Sequence, residues 1–325
     1  MVFEVLNLEN SIYVAGHNGL IGSAVVRRLQ ELGFSNIILA ARHEVDLVDR
    51  DAVDAFFKER KPVFVLLCAG KVGGIGENLN IPADFININL AIQMNVFRAA
   101  HANCVRKLIF FGSSCMYPRN CPQPMPESAL LTGMPEPSSL PYALSKLVGV
   151  QMCLAYNKQY GAQRFIPVIP NSVYGPNDDY DTKSGHVLSA LIRRFHEATL
   201  RGDDEVVLWG SGNPRREFIH SDDIANACVC LLTQSVSQLE LPINIGTGAD
   251  ISIRELAEAI ARVTGFRGKI SQDLSKPDGA PQKLLDSARI RGLGWHPEIV
   301  LEAGLEQTYT WYLENIVPKE KSFER

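Results

Sequence analysis

The 325-residue sequence has neither a long apolar run nor an excess of charge of one sign. A helix that crosses a bilayer needs about 18 or more consecutive apolar residues, and no stretch of this chain approaches that length. The formal net charge is -4, and the absence of a basic cluster argues against a protein that binds nucleic acid. The composition therefore indicates a globular protein that contacts neither a membrane nor a nucleic acid.

A secretory signal and a cysteine framework are also missing. Residues 1–11 contain Glu4 and Glu9 and have no basic segment ahead of an apolar run, so no signal peptide is expected. The seven cysteines are an odd number, and their spacing matches neither a disulfide framework nor a zinc site. Most of them lie in apolar runs, where a buried thiol is the common outcome. We therefore expect a protein of the reducing cytoplasm without a bound metal.

The chain does contain an alternation of short apolar strands and helical patterns. The first half predicts strands at 11–15, 36–40, 63–69, 107–111 and 165–169, and helices at 24–32, 51–60, 91–102 and 142–160. Seven prolines in 118–141 predict a loop there. Strands that alternate with helices form parallel sheets, and the uninterrupted apolar run at 63–69 is typical of a strand buried on both faces. We predict an α/β fold, a Rossmann-type doubly wound parallel sheet with a smaller C-terminal α/β domain.

A glycine-rich turn follows the first predicted strand. Gly16, Gly19 and Gly22 have the spacing GxxGxxG and stand directly before a helical pattern. Glycines at this junction permit a tight turn and let the backbone approach a pyrophosphate at the helix N-terminus. Three glycines alone could form a loop without a ligand, but their place between a first strand and a first helix indicates dinucleotide binding. The predicted contacts are Gly16, His17, Asn18, Gly19, Leu20, Ile21 and Gly22.

The end of the second predicted strand bears on the choice of dinucleotide. NAD sites commonly carry an acidic residue there, which binds the ribose hydroxyls. In this chain the strand ends with Ala40, Ala41 and Arg42, and an arginine suits a 2′-phosphate, although it could also be an ordinary surface charge. We therefore predict NADP(H) as the cofactor, with Arg42 at the 2′-phosphate and with Asp46 and Leu47 near the adenine.

Three residues predict hydride-transfer chemistry. Tyr142 and Lys146 are four residues apart, so they share one face of a predicted helix. Because an ammonium beside a phenol favours the phenolate, we expect Lys146 to lower the pKa of Tyr142 and prepare it for proton exchange with a carbonyl or alcohol. Ser113 ends the fourth predicted strand, at the sheet edge where ligands of such folds bind, and its hydroxyl can hydrogen-bond the reacting oxygen.

With these residues the chain resembles the extended short-chain dehydrogenase/reductase family, many of whose members act on nucleotide sugars. One branch, the GDP-L-fucose synthases or GDP-4-keto-6-deoxymannose epimerase-reductases, is similar over nearly the whole chain, from Ile12 to Asn315. The similar segments are 71–75, 82–86, 111–118, 186–198, 209–212, 216–220, 275–279 and 283–286. The Ser-Ser-Cys sequence at 113–115 and the histidine His186 are specific to this branch, whereas the glycine motif is not.

The resemblance implies that one site epimerises and then reduces GDP-4-keto-6-deoxy-D-mannose with NADPH. Cys115 and His186 would exchange protons at C3 and C5, because the C4 carbonyl acidifies both neighbouring C–H bonds and both side chains titrate near neutrality. Tyr142 would protonate the C4 oxygen, Ser113 would polarise the C4 carbonyl, and Lys146 would also bind the nicotinamide ribose. Which of Cys115 and His186 is the base at each carbon stays open.

The same resemblance assigns further residues to the two ligands. The additional cofactor contacts would be Gly112, Ser113, Ser114, Lys146, Pro170, Asn171, Ser172, Val173 and His186. The contacts to the GDP-sugar would be Arg194, Trp209, Arg216 and Asp278, because arginines suit a diphosphate and an aromatic ring can pack on a sugar or base. Outside this motif context, the arginines could be surface charges and the tryptophan could belong to the core.

The resemblance also implies two domains and a dimer. We expect an NADP-binding Rossmann domain and a nucleotide-sugar-binding domain, at 11–172 plus 217–247 and at 173–216 plus 248–325, respectively. Members of the family are homodimers that pair two helices from each subunit, and the helices predicted at 91–102 and 142–160 could supply them.

Two other enzymes of the same fold and one protein without catalytic activity are the competing interpretations. A nucleotide-sugar dehydratase usually has an Asp-Glu pair where this chain has Ser114 and Cys115. A simple C4-epimerase needs no acid–base pair at carbon, which leaves Cys115 and His186 unexplained. A silent NADP-binding or redox-sensing protein would have no need of the proton relay formed by a serine, a tyrosine and a lysine.

Overall fold

In the computed structural model, helices and strands alternate along the chain as the sequence predicts. The structure describes residues 7–161, 163–181, 185–234, 240–276 and 278–318. The predictions also include residues outside the described ones, namely 1–6, 162, 182–184, 235–239, Pro277 and 319–325.

The bounds of the elements are as follows. The strands are β1 (Ile12–Ala15), β2 (Ile37–Ile38), β3 (Phe64–Leu67), β4 (Lys107–Phe111), β5 (Phe165–Pro170), β6 (Ser172–Tyr174), β7 (Glu205–Trp209), β8 (Arg215–Arg216), β9 (Phe218–His220), β10 (Ile243–Ile245), β11 (Ile251–Ser252), β12 (Lys269–Asp273) and β13 (Gln282–Lys283). The helices are α1 (Leu20–Glu31), α2 (Arg50–Arg60), α3 (Ile75–Asn80), α4 (Pro82–Ala102), α5 (Leu140–Tyr160), α6 (Val187–Arg201), α7 (Ser221–Thr233), α8 (Ile253–Thr264), α9 (Ala288–Gly292) and α10 (Leu301–Asn315). Among these described helices, none has both the length and the apolar character that crossing a membrane requires.

The central sheet has six parallel strands in the order β2-β1-β3-β4-β5-β10. From β1 the chain proceeds to β2 on one side and then returns to the other side of β1 to form β3. Ligands of open parallel sheets bind beyond the carboxyl ends of the strands at such a reversal of strand order. The predicted α/β fold with a Rossmann-type parallel sheet is therefore confirmed, and the reversal directs attention to the loops that follow β1 and β3.

The strands of this sheet are apolar because helices cover both of its faces. In β4, Leu108 and Phe110 pack into one core with α2, α4 and α5, while Ile109 and Phe111 pack into a second core with α1 and α7. Successive side chains of a strand point to opposite faces, so both sets are buried. Burial of one such side chain contributes about 1.5–3 kcal/mol, which explains the uninterrupted apolar runs of the sequence.

Several boundaries differ from the predicted ones. The helix predicted at 91–102 begins at Pro82, because a proline in the first turn lacks an N–H that would have no partner within the helix. The strand predicted at 36–40 is only two residues long, since its ladder with β1 is limited to two pairs. The segment 118–141 forms a loop with two 3-10 turns, as expected, and α5 begins before its last residue.

A third core lies outside the central sheet and surrounds α6, α8 and α10. It contains Phe195, Leu256 and Leu305, which are all buried. Nearby, β12 pairs with β7, and β8 lies between β11 and β13. The parallel pairing of β13 with β8 places Lys283 opposite Arg216 in the ladder. This small sheet therefore brings residues from distant parts of the chain to one side of the central sheet.

Candidate active site

The glycine turn between β1 and α1 forms a shallow cradle at the carboxyl edge of the central sheet. Gly16 has φ +84°, and a Cβ on it would lie 2.7 Å from the Ala69 nitrogen. A Cβ on Gly22 would overlap the Gly16 carbonyl oxygen. Both positions therefore need glycine so that α1 can start close to the sheet. Gly19 immediately precedes α1 and is exposed, so the turn presents the first N–H groups of that helix.

A cavity of about 410 Å³ lies beside this turn. Its walls come from the loops that follow β1, β2 and β3 and from α4, which is the position that the reversal of strand order predicts. The predicted cofactor contacts that line it are Gly16, His17, Asn18, Gly19, Arg42, Asp46 and Leu47. The predicted contacts Leu20, Ile21 and Gly22 form the first turn of α1 beside it.

Arg42 and Asp46 form an ion pair at this cavity. The Arg42 side chain is 82% exposed, and its Nη2 lies 3.6 Å from Asp46 Oδ2. Exposed ion pairs are weak, so this pairing leaves the guanidinium available to an anionic ligand. Leu47 is buried in the core against α4, and its carbonyl accepts a hydrogen bond from Asn95 Nδ2 at 3.0 Å. Leu47 thus forms part of the cavity wall.

These features fit a phosphorylated dinucleotide. A Cβ on Gly16 or Gly22 would clash with the backbone of the turn, and the tight turn together with the N-terminus of α1 suits a pyrophosphate. The exposed guanidinium of Arg42 suits a 2′-phosphate. The residues present therefore fit NADP(H) better than a ligand without phosphates.

Ser113 and Tyr142 meet at the carboxyl end of β4. The Ser113 hydroxyl lies close enough to the phenol to lower its pKa, and Ser113 Oγ accepts a hydrogen bond from the Cys115 nitrogen at 3.2 Å. The Gly112 nitrogen donates to the Val168 carbonyl at 2.7 Å, which carries the sheet pairing up to this turn. The Ser114 side chain is buried beneath the turn. The strand end therefore fixes the serine hydroxyl against the phenol.

Lys146 lies beneath Tyr142 but does not have the predicted effect on it. Lys146 Nζ donates to the Phe111 carbonyl at 3.0 Å and lies 5.9 Å from the centre of the Tyr142 ring. Burial lowers the pKa of Lys146 to about 8. Burial also raises the pKa of Tyr142 above its ordinary value, and this outweighs the hydrogen bond with Ser113, which lowers it. The expectation of a lowered tyrosine pKa is wrong for this arrangement, and Tyr142 is instead a protonated phenol at neutral pH, suited to donate a proton.

Cys115 lies in the 3-10 turn after Ser113 and is partly exposed. Lys283 Nζ lies 3.9 Å from Cys115 Sγ. Burial raises the pKa of the thiol, and the positive charge of Lys283 is the largest influence that lowers it. Hydrogen bonds with Ser113 and Ser139 and the charge of His186 lower it further, so the net pKa is below the ordinary value. The surroundings of Cys115 therefore favour the thiolate.

His186 immediately precedes α6. Its Nδ1 lies 3.6 Å from Oδ1 of Asp178, whose side chain is almost completely buried. Asp178 Oδ2 also accepts a hydrogen bond from Ser189 Oγ. The contact with the Asp178 carboxylate raises the pKa of His186 more than burial lowers it. The surroundings of His186 therefore favour the imidazolium.

The predicted catalytic side chains are coupled electrostatically. The charge of Cys115 acts on both Tyr142 and His186, so the three groups are within electrostatic range of one another. The structure thus brings together the side chains of Ser113, Cys115, Tyr142, Lys146 and His186. They come from the turn after β4, from α5 and from the start of α6.

The predicted cofactor contacts at 170–173 lie where β5 ends and β6 begins. Asn171 Nδ2 donates to Glu217 Oε2 at 2.6 Å and to the Lys283 carbonyl at 3.1 Å. Among the described residues, Asn171 Oδ1 is buried without a hydrogen-bond partner. Asn171 therefore ties the end of the central sheet to β13 and leaves one buried acceptor for a ligand donor.

Two of the predicted substrate contacts are at an exposed rim. Trp209 ends β7 and is 71% exposed, so it does not belong to the core, and Lys276 Nζ lies 5.7 Å from the centre of its ring. Asp278 accepts hydrogen bonds from the Ser211 nitrogen and hydroxyl at 2.8 and 2.7 Å. These bonds tie the turn after Trp209 to the segment that precedes β13.

The two predicted substrate arginines donate hydrogen bonds to backbone carbonyls. Arg194 Nη2 donates to the Val207 carbonyl at 2.5 Å. Arg216 Nη1 donates to the carbonyls of Arg215 and Ala280, both at 2.7 Å. Burial lowers the pKa of Arg216, while the nearby charge of Cys115 raises it. Of the four predicted substrate contacts, Arg216 is therefore the one whose charge is coupled to a catalytic side chain.

Three side chains at the site have no role in the sequence-based prediction: Asp178, Ser139 and Lys283. The acid at Asp178, eight residues before His186 in a polar loop, is a signal that could have suggested the pair. Lys283 is 168 residues from Cys115 in the chain, so no local spacing relates the two. Ser139 lies in the proline-rich loop, where no periodic pattern indicates which side chains point inward.

Known proteins that resemble this chain share its family and its fold. The model of the NAD dependent epimerase/dehydratase family matches residues 12–246. The relative GDP-L-fucose synthase 1 of Arabidopsis thaliana is 52% identical over 305 residues, which cover 94% of each chain. GDP-L-fucose synthase of Escherichia coli K12 is 47% identical over 314 residues, 94% of this chain and 98% of that one. The structure of a GDP-mannoheptose C4 reductase from Campylobacter jejuni with NADP bound has TM-score 0.87 and 40% identity, over 95% of this chain and 99% of that chain.

Proposed function

The chain belongs to the NAD dependent epimerase/dehydratase family, and on that premise we propose that it is a GDP-L-fucose synthase. It converts GDP-4-keto-6-deoxy-D-mannose to GDP-L-fucose by epimerisation at C3 and C5 and by NADPH-dependent reduction at C4. The observation that carries this proposal is a carbon acid–base pair, Cys115 and His186, beside the phenol of Tyr142. The relatives named GDP-L-fucose synthase support it.

The epimerisations follow from the opposite charges that the two side chains favour. The Cys115 thiolate takes the proton from the carbon next to the C4 carbonyl, and the electron pair of that C–H bond passes into an enolate. Ser113, whose hydroxyl lies at the end of β4, donates a hydrogen bond to the enolate oxygen. The His186 imidazolium then returns a proton to the opposite face of the carbon. Exchange with water restores the thiolate and the imidazolium before the next centre reacts.

The reduction uses the protonated state of Tyr142. Bound NADPH supplies the hydride for C4. Tyr142 donates its phenolic proton to the C4 oxygen, because its raised pKa keeps that proton in place until the oxygen becomes basic. The Ser113 hydroxyl, which lies beside the phenol, donates a hydrogen bond to the same oxygen. Lys146 provides a positive charge 5.9 Å from the ring centre as the phenolate forms.

The GDP end of the substrate extends towards the exposed rim. Arg194 and Arg216 suit the diphosphate, since guanidinium groups bind phosphate oxygens in pairs. The exposed ring of Trp209 suits a sugar or a base, and Asp278 holds the turn after it through Ser211. On this proposal the small sheet of β8 and β13 joins the two ends of the substrate site.

The proposal includes the division into an NADP-binding domain and a substrate-binding domain. The two cores on the faces of the central sheet support the first domain, at 11–172 plus 217–247. The separate core around α6, α8 and α10 supports the second, at 173–216 plus 248–325. Limited proteolysis that releases fragments with other boundaries would count against this division.

We also propose a homodimer in the cytoplasm. Exposed apolar side chains on α4 and α5, namely Met94, Leu144 and Val148, support pairing of these helices between subunits. All seven cysteines are free thiols, which is typical of a reducing compartment. Light scattering of the protein as it elutes from a size-exclusion column measures its molar mass. A monomer at micromolar concentration would contradict the dimer.

The experiment that tests the function follows NADPH oxidation with three substrates in parallel. GDP-4-keto-6-deoxy-D-mannose should be reduced, while the corresponding dTDP- and UDP-linked keto sugars should react much more slowly. In deuterated water, the GDP-linked product should carry deuterium at C3 and C5. Reduction without deuterium at these carbons would identify a plain C4 reductase, and equal rates with all three nucleotides would contradict recognition of GDP.

A further inference from the structure

Lys283 lies beside the reactive sulfur, and the reaction described above gives it no task. Its Nζ is 3.9 Å from Cys115 Sγ, although the two residues are 168 positions apart in the chain. Lys283 is partly buried at the end of β13, on the small sheet that also carries Arg216. A cation at this distance from a thiol in a partly desolvated site has a direct electrostatic effect on it.

The backbone around Lys283 is held from several sides. The Lys283 carbonyl accepts hydrogen bonds from Asn171 Nδ2 at 3.1 Å and from the Glu217 nitrogen at 3.3 Å. The next nitrogen, that of Leu284, donates to Gln123 Oε1 at 2.8 Å. These hydrogen bonds hold the backbone at Lys283 in place. The contact between the ammonium and Cys115 therefore costs little backbone conformational entropy.

Among the described residues, the other titratable groups coupled electrostatically to Cys115 are His186, Arg216 and Tyr142. Arg119 and Glu136, which line the same small cavity as Cys115, form an ion pair with each other. His186 is paired with Asp178, and its charge lowers the pKa of Cys115 less than the charge of Lys283 does. Arg216 directs Nη1 to two carbonyl oxygens of its own neighbourhood. Tyr142 is a neutral phenol, and a negative charge on Cys115 disfavours its ionisation. Lys283 is therefore the cation whose charge acts most directly on the sulfur.

We propose that Lys283 is a positioning residue that acts through Cys115: its ammonium, 3.9 Å from Sγ, holds the thiol as the thiolate that takes the proton next to the C4 carbonyl. As the C–H bond breaks, an S–H bond forms, the electron pair enters the enolate, and Lys283 keeps all of its protons. The thiolate part of this proposal stands on the contact alone, and the proton-transfer part rests on the proposed function. The lowered pKa of Cys115 agrees with the thiolate part.

The first experiment measures the thiolate without any substrate. The intact protein is treated with iodoacetamide over a range of pH, digested with trypsin and analysed by mass spectrometry. Trypsin cleaves after Lys107 and Arg119, so the peptide 108–119 contains Cys115 and no other cysteine. The variants are Lys283→Met, Lys283→Arg and, as a matched control, Lys58→Met, which removes an exposed lysine of α2.

In Lys283→Met the midpoint of Cys115 alkylation should move to higher pH. Loss of a cation within about 4–6 Å leaves roughly tenfold less thiolate below the midpoint. A thiolate of higher pKa is intrinsically about threefold more reactive, so the net alkylation rate at fixed pH should fall by about threefold. Lys283→Arg should have the wild-type midpoint because arginine keeps the positive charge. Lys58→Met should also have the wild-type midpoint.

The second experiment measures turnover in deuterated water. Lys283→Met should slow deuterium incorporation at C3 and C5 near neutral pH, mainly through kcat, and higher pH should restore part of the rate. NADPH binding, followed by the fluorescence of the nicotinamide, should stay as in the wild type and shows that the variant is folded. If Lys283→Met does not fold, Lys283→Gln takes its place with the same expectations.

Three results would overturn the inference. One is an unchanged alkylation midpoint in the neutral variant, which would leave Lys283 without influence on the thiol. Another is an equal shift in Lys58→Met, which would indicate a general effect of net charge. The last is a rise in KM for the sugar nucleotide with no change in the midpoint, which would make Lys283 a substrate contact. If the midpoint shifts but the wild type does not act on the GDP-sugar, the proposed function fails while the contact stands.

Discussion

Asp178 and His186 form an ion pair at the start of α6, with 3.6 Å between Asp178 Oδ1 and His186 Nδ1. The Asp178 side chain is 4% exposed and that of His186 is 50% exposed, so a buried carboxylate holds an imidazole that faces the site. The contact with this carboxylate raises the pKa of His186. A raised pKa keeps the imidazolium present at higher pH than in an isolated histidine, and an acid that returns a proton to carbon needs this form.

Asp178→Asn should therefore narrow the pH range of the epimerisation. If the imidazolium is the active form, the rate falls as pH rises through the pKa of His186, and this fall should occur at lower pH in the variant. At mildly alkaline pH the variant should be about three- to tenfold slower than the wild type, since loss of a close opposite charge changes a pKa by about a unit. The pH dependence of the epimerisation rate is measured by deuterium incorporation at C3 and C5. Asp204→Asn, an exposed residue before β7, should keep the wild-type profile.

Cys115→Ser and His186→Asn should each stop proton exchange at carbon without loss of the cofactor. Removal of a positioned acid or base typically slows a step by about 10²- to 10⁴-fold. Cys115 is not a predicted cofactor contact and lies outside the cavity beside the glycine turn, so Cys115→Ser should bind NADPH with wild-type affinity. Mass spectrometry of the recovered sugar nucleotide measures the exchange. Wild-type exchange in both variants would remove these residues from the mechanism.

Tyr142→Phe should separate reduction from epimerisation. The variant loses the phenolic proton for the C4 oxygen but keeps the aromatic ring that packs edge-to-face on Phe85. NADPH oxidation should fall by about 10²- to 10⁴-fold, while deuterium still enters C3 and C5. Absorbance of NADPH and mass spectrometry of the sugar measure the two steps on one sample. Unchanged NADPH oxidation would contradict the role of the tyrosine.

The central sheet and the glycine turn could be predicted because they depend on local patterns. Apolar runs bounded by Gly16 and by Ser113 mark strand ends, and the carboxyl ends of parallel strands lie at one edge. The spacing of Tyr142 and Lys146 placed both on one helix face, but it could not indicate that burial dominates the pKa of the phenol. Desolvation depends on the whole surroundings of a side chain and not on its neighbours in the sequence.

The contacts across the site could not be predicted for the same reason. Lys283 reaches Cys115 only because β13 pairs with β8, and a two-residue strand leaves no periodic signal. Asp178 and His186 form an ion pair although they lie in no common helix or strand, so their spacing in the sequence does not indicate that their side chains meet. Pro82 could have marked the start of α4, since proline is common in the first turn of a helix.

Arg42→Gln should weaken the preference for NADPH over NADH. The guanidinium is exposed at the cavity that the glycine turn borders, and Asp46 lies 3.6 Å from it. A charge-assisted hydrogen bond contributes about 1.5–3 kcal/mol, so KM for NADPH should rise by roughly 10- to 100-fold while KM for NADH changes little. Arg42→Lys should keep part of the preference, because it keeps the charge and loses the paired N–H groups. Equal effects on both cofactors would show that Arg42 does not bind the 2′-phosphate.

Glu217→Gln should destabilise the fold and, through it, the site. Glu217 is fully buried, and its carboxylate accepts hydrogen bonds from Asn171 Nδ2 at 2.6 Å, the Gly248 nitrogen at 2.7 Å and the Leu285 nitrogen at 3.0 Å. Both carboxylate oxygens are used, so an amide would turn its NH₂ group towards a donor and leave that donor unsatisfied. A buried unsatisfied donor costs about 1–3 kcal/mol, and the free energy of unfolding in urea should fall by about that amount. Glu59→Gln, at an exposed position of α2, should leave it unchanged. Because the same carboxylate holds Asn171 and the strand that carries Lys283, the variant should also slow alkylation of Cys115, and full stability with wild-type alkylation would contradict this linkage.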